Sequence, residues 1–188
     1  MSENIKTYYI LLSSPSDVKK ERKIVSDIIE EINSSIKDNF NACLKVIKWE
    51  TNGHSSIGKS AQDILNLQLG SYYDIYIGLM WTRIGTPTKR SKSGTVEEFN
   101  IAYKKYKKNK KKLEIMFYFS DIKIAPSRIE ISQHQEVQCF KKHIRKIGIY
   151  SPDYSSYSAF KKQVKDDLYH HFFKLEGKNL NPKIKIVK

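Results

Sequence analysis

The sequence predicts an α/β fold: a parallel sheet of four to five strands flanked by helices. Two observations carry that expectation. Short β-rich apolar runs alternate four times with amphipathic helical stretches. Two of those runs, DIYIGLMW and LEIMFYFS, are apolar at nearly every position, as strands covered on both faces of a parallel sheet are.

The elements follow in order. KTYYILLSS reads as the first strand. SPSDVKKERKIVSDIIEEIN reads as a helix, with Ser14 as its cap, Pro15 at its first position and Asp17 completing an S-x-x-D box. Val18, Ile24, Val25, Ile28, Ile29 and Ile32 recur at helical spacing and give it one apolar face. CLKVIKWE, Cys43 to Glu50, is the second strand, TNGHSSIG a polar loop and KSAQDILNLQL the second helix. DIYIGLMW is the third strand, SGTVEEFNIAYKKYKK a helix and LEIMFYFS the fourth strand. IKIAPSRIEISQ reads as a loop bent at its proline. QEVQCFKKHIRKIG is a helix ended by Gly148, and SYSAFKKQVKDDLYHHFFKL is the last helix. Residues 1–175 make one domain, and 176–188 read as a basic tail or linker.

Composition narrows the function classes. With 188 residues and 39% hydrophobic content, the chain can bury a proper core. No run approaches the roughly 20 apolar residues of a membrane span. The start, MSENIKTYYILLSS, lacks a cationic region and a cleavage site and reads as a strand, not a signal peptide. Cys43 and Cys139 form no CxxC, so a reducing, cytoplasmic setting is expected, without disulfide or zinc. Histidines 54, 134, 143, 170 and 171 show no metal-ligand spacing. The net charge of +14 is largely local, since KKYKKNKKK places seven lysines at one helix end. Lysine dominates without an Arg–aromatic reader motif, so specific nucleic-acid binding is not expected.

In a parallel α/β sheet, ligands bind beyond the carboxyl ends of the strands. That rule gathers Ser13 and Ser14 after the first strand, Trp49 after the second, Trp81 and Arg83 after the third, and the GTVEE helix start with Thr95. The tryptophans suit either the walls of a flat aromatic ligand or packing under loops. Arg83 suits either a phosphate or a structural ion pair. In the helix, Val96, Phe99, Ala102, Tyr103 and Tyr106 define the packed face. Helical geometry puts Glu98 on its flank and Glu97 toward solvent. Glu98 then has two readings. It closes a T-x-x-E capping box with Thr95, worth about 1 kcal/mol. Alternatively it faces a developing positive charge, where a carboxylate ~4 Å away at an effective dielectric near 20 contributes about 4 kcal/mol, roughly a thousandfold in rate.

A second motif competes. GHSSIGKS, Gly53 to Ser60, matches the P-loop pattern G-x-x-x-x-G-K-[ST]. Its chemistry would set backbone amides and Lys59 around phosphates and Ser60 on magnesium, with Asp121 as a further metal-side acid. The stretch follows the second strand, whereas that motif usually opens a nucleotide fold.

ILLSSPSDVKKER, VIKWE, DIYIGLMWTRIGTPT, SGTVEEFNIAY and IMFYFSDIKI together resemble the blocks of a TIR-like domain family found on bacterial STAND NTPases and antiphage defence proteins. The resemblance covers residues 5 to 175 and implies a TIR- or flavodoxin-like sheet. It makes TNGHSSIGKS a variable loop. GTVEEFNIA is also similar to the G-T-x-x-E-x-G-x-A of nucleoside deoxyribosyltransferases, with Asn100 where that pattern has glycine. The resemblance implies Glu98 as the catalytic residue cleaving the nicotinamide N-glycosidic bond of NAD+, a substrate and not a resident cofactor. It also implies Trp81 or Trp49 stacking on a base, and Arg83 with the Ser13–Ser14 amides on phosphate. Implied partners are further copies of the chain or a STAND-type or effector protein. The alternative is a non-catalytic interaction or assembly module in which Glu98 only caps.

Overall fold

The computed structural model describes residues 5–47, 73–109 and 113–175. β1 (Lys6–Ser13), β2 (Ala42–Ile47), β3 (Ile75–Met80), β4 (Glu114–Ser120) and β5 (Asp153–Tyr154) form one five-stranded sheet in the order β2-β1-β3-β4-β5. Every neighbouring pair is parallel. This is the doubly wound, flavodoxin-like strand order. The helices are α1 (Lys19–Phe40), α2 (Gly94–Lys108), α3 (Ile131–Lys146) and α4 (Tyr157–Leu175).

β3 is buried along its whole length, because helices cover both faces of the sheet. On one face, Ile10, Leu12, Ile77 and Leu79 pack with Val25, Ile28, Ile32 and Ile36 of α1 and Val164 and Leu168 of α4. On the other, Leu11, Tyr76, Met80, Phe117 and Phe119 pack with Phe99 and Ala102 of α2 and Val137, Phe140 and Ile144 of α3. Gly78 lies on this second face. A Cβ there would sit 2.2 Å from Phe117 Cε2, so the bare glycine lets the ring lie across β3.

Three expectations need correction. The segment before α1 is a short 3-10 turn, Ser16–Val18, with no side-chain cap, and Ser14 Oγ has no partner among the described residues. Asp17 does not close a box on its own helix. Its Oδ2 accepts from Thr82 N at 2.9 Å, Thr82 Oγ1 at 3.0 Å and Arg83 N at 3.0 Å. Those donors on the loop after β3 outbid one amide of a local turn. α3 begins at Ile131, inside the stretch expected to be loop. The fifth strand is two residues long, too short to show alternation in sequence. The expected helix at 59–69, the P-loop stretch and the tail lie outside the described residues.

Candidate functional site

β1 and β3 are adjacent, and the chain leaves them toward opposite edges of the sheet, which makes their carboxyl ends the switch-point crevice. Ser13 closes β1 and pairs with Gly78 of β3. It is 1% exposed, and its Oγ donates a hydrogen bond to Glu98 Oε2. The half-buried Glu98 carboxylate is therefore held against the end of β1 at the crevice.

Glu98 is not in a capping box. The cap of α2 is Ser93, whose Oγ accepts from Val96 N at 3.2 Å. Thr95 sits inside the first turn, buried, and its carbonyl accepts from Tyr76 Oη at 3.4 Å. The helix starts two residues earlier than the T-x-x-E reading requires, and that moves Glu98 out of the cap position. Glu97 is the second correction, being 7% exposed and not solvent-facing. The helix wheel counts the sheet side alone, whereas Glu97 is covered as well and has Arg90 Nη1, from the loop before α2, at 3.9 Å of its Oε1.

Two tyrosines complete the surroundings of Glu98. Tyr76 is fully buried in β3, and burial first, then the Glu98 charge, pushes its phenol well above the ordinary range. Tyr73, just before β3, is pushed up to about 12 by burial and next by Glu98. Its hydroxyl is buried without a partner among the described residues. Both phenols thus stay protonated at neutral pH beside the carboxylate. The sequence signal for Tyr76 was its two-residue spacing from Gly78 and Met80, a large ring on the face where β3 also carries a glycine.

The loop after β3 forms the rim, anchored by Asp17 and by Gln133 of α3. Gln133 Oε1 accepts from Ile84 N at 3.1 Å and Gly85 N at 3.2 Å. Gly85 adopts φ +106°, and a Cβ there would lie 3.2 Å from Ser93 Cβ. Arg83 pairs with Glu130 at 3.4 Å, both half-exposed. Trp81 packs on the α1/α4 core, and its Nε1 donates to Ile122 O at 3.2 Å. The fold therefore brings Ser13, Thr95 and Glu98 together, and it commits Arg83 and Trp81 to structural contacts. Trp49 and Lys59 lie outside the described residues. Asp121 is exposed at the end of β4, its amide bonded to Tyr154 O at 2.8 Å.

Among the described residues, no group of three or more His, Cys, Asp or Glu could hold a metal ion, and no helix is long and apolar enough to cross a membrane. A cavity of about 490 Å³ lies elsewhere, at the amino end of β4. We place the candidate site at the crevice nonetheless, because a positioned carboxylate and the topological switch point coincide there.

No family model and no curated protein matches the chain. Among solved structures, a homoserine dehydrogenase from S. aureus aligns at 16% identity and TM-score 0.36, over 79% of this chain and 33% of that one. The chain thus spans about a third of that protein's length, and a likeness this distant carries no functional argument.

Proposed function

We propose that the chain is a TIR-like, NAD+-consuming enzyme that breaks the nicotinamide N-glycosidic bond in bacterial antiphage defence. The observation behind this reading is the Glu98 carboxylate, freed from capping and held by Ser13 at the carboxyl end of β1. In the reaction the C1′–N bond breaks and its electron pair leaves on nicotinamide. Positive charge then spreads over C1′ and the ring oxygen. A carboxylate fixed beside that charge stabilises it more than it stabilises the ground state. Water, or a nucleophile within the nucleotide, then bonds to C1′ and gives up its proton. Tyr73 and Tyr76, kept protonated, act as donors and not as bases. The protein works in the cytoplasm and assembles with further copies or a STAND-type or effector partner.

The test is nicotinamide release from NAD+ by concentrated, crowded protein, wild type against Glu98→Gln, with matched thermal melts. Release should fall about a thousandfold in a variant that melts within a few degrees of wild type. Equal release from both proteins would sink the reading. A second reading, a non-catalytic TIR-like interaction module, draws on one observation. Arg83 and Trp81, the expected phosphate and base contacts, are engaged with Glu130 and Ile122. It predicts no release from either protein.

A further inference from the structure

Near the crevice, Arg83 pairs with Glu130, Arg90 lies 3.9 Å from Glu97 and Lys92 pairs with Glu136. At the opposite, amino edge of the sheet, a group of lysines has no such partner. Lys105 Nζ donates to Tyr73 O at 3.0 Å, and β4 begins at Glu114, so the last turns of α2 stand at the foot of β3 and β4. Lys104, Lys107 and Lys108 share one exposed face there, three and four positions apart. Lys146, also exposed, closes α3 beside Ile147, which lines the same cavity as Glu114. Among the described residues, none of these lysines has a carboxylate within ion-pair distance. A helix dipole favours a cation at its carboxyl end, but lysines at i and i+4 repel each other. Left unpaired together, they hold a positive field toward any outside polyanion.

Aromatic surface lies within that field. The cavity of about 490 Å³ is lined by Tyr103, Tyr106 and Lys107 of α2 and by the Ile147–Tyr150 stretch after α3. Tyr103 and Tyr106 stack with centroids 6.4 Å apart, and Lys107 Nζ stands 5.5 Å from the Tyr103 centroid. Tyr150 is 80% exposed, so its ring forgoes the burial that such a side chain ordinarily gains. The carboxylates on the lining, Glu114 and Asp167, are engaged by His171 Nδ1 at 3.1 Å and Tyr118 Oη at 2.7 Å, and neither pairs with the lysines.

We propose that this edge binds single-stranded nucleic acid without reading its sequence. Lys104, Lys107, Lys108 and Lys146 take backbone phosphates, and Tyr150 stacks on one base while the cavity lined by Tyr103 and Tyr106 receives a neighbouring one. Phosphate charge alone would be met by any lysine field. Rings beside the lysines select a strand whose bases are free to stack on protein. A duplex keeps its bases stacked on one another and offers this surface little beyond phosphates. The site lies at the edge of the sheet opposite Glu98, and its binding needs neither Glu98 nor the reaction proposed there.

The experiment is fluorescence anisotropy of a labelled oligo-dT of about 20 nucleotides, longer than one such groove covers, titrated with the full chain beside a duplex of equal length. Affinity should fall with salt, and Lys107→Ala/Lys146→Ala should flatten the slope of log K against log salt by about 1.4, the share of two phosphate contacts. Tyr150→Ala should weaken oligo-dT binding about tenfold and leave that slope unchanged. Both variants alter exposed side chains and should melt as the wild type does. Glu98→Gln should bind as the wild type does, so a failed NAD+ assay leaves this result standing. No binding of oligo-dT overturns the proposal. Binding that both variants leave intact overturns it too, since other lysines would then carry the strand. Equal affinity for the duplex, with Tyr150→Ala without effect, also overturns it, because charge alone would then be acting.

Discussion

The two faces of the sheet share five strands yet are filled by different chemistry. Toward α1 and α4, the central packing is isoleucine and valine from one long helix against aliphatic strand residues. Toward α2 and α3, rings meet rings: Phe99 lies 6.2 Å from Tyr76, 5.9 Å from Phe117 and 5.2 Å from Phe140 between centroids. Aliphatic packing offers volume alone. A tyrosine-bearing core offers hydroxyls as well, and Tyr76 donates its own to Thr95 O at 3.4 Å, in the first turn of the helix that carries Glu98. The α1/α4 face holds tyrosines too, but their hydroxyls are committed, Tyr118 Oη to Asp167 at 2.7 Å and Tyr154 Oη to Glu21 at 3.2 Å.

Truncation at the centre of each face tests that difference most strongly. Phe99→Ala should cost about 4 kcal/mol and Ile32→Ala about 3 kcal/mol in denaturant unfolding. A larger loss for Ile32 would show that ring contacts add nothing beyond volume. Gly78→Ala should cost about 2 kcal/mol, because the new methyl meets the Phe117 ring, and Phe117→Leu in the same chain should recover part of the loss. Additive losses in that double variant would count against the close approach of ring to strand.

At the site itself, Ser93→Ala should cost about 1 kcal/mol, the value of a helix cap. Glu98→Gln should change stability by less than about 0.5 kcal/mol. Reversed magnitudes would return Glu98 to a capping role.

The smallest expected effect concerns Glu21, the buried carboxylate of the α1/α4 face, which accepts from Tyr154 Oη at 3.2 Å. Burial is the leading cause that raises its pKa. A raised carboxyl pKa means that the folded state holds the proton more tightly than the unfolded chain. The associated stability is present at acidic pH and is lost as pH climbs through the folded pKa. Glu21→Gln should therefore melt higher than wild type at pH 7 and alike at pH 4. A gain confined to pH 4 would reverse the assignment.

Much of this was legible in the sequence. The buried strands announced themselves by unbroken apolar runs, and α1 by isoleucines at helical spacing. Those patterns reflect burial, which side-chain type records directly. Glu98 was legible as a candidate, but its freedom from capping was not. Ser93 and Thr95 both head an S/T-x-x-E/V-type stretch, and only the backbone decides which one precedes the first turn. The burial of Glu97 was hidden for a different reason. It reflects tertiary packing beyond the sheet side of the helix, which no periodicity encodes. Asp17 misled in the same way, since its best donors lie 65 residues away in the chain.

That last contact has a mechanical consequence. One oxygen of Asp17 grips the turn after β3 while its own backbone belongs to the turn after β1. The two lips of the crevice are thereby riveted together and move as one plate, not as independent flaps. Any hinge that admits a ligand has to lie elsewhere along the mouth, and a strain applied to either lip is felt at once by the other.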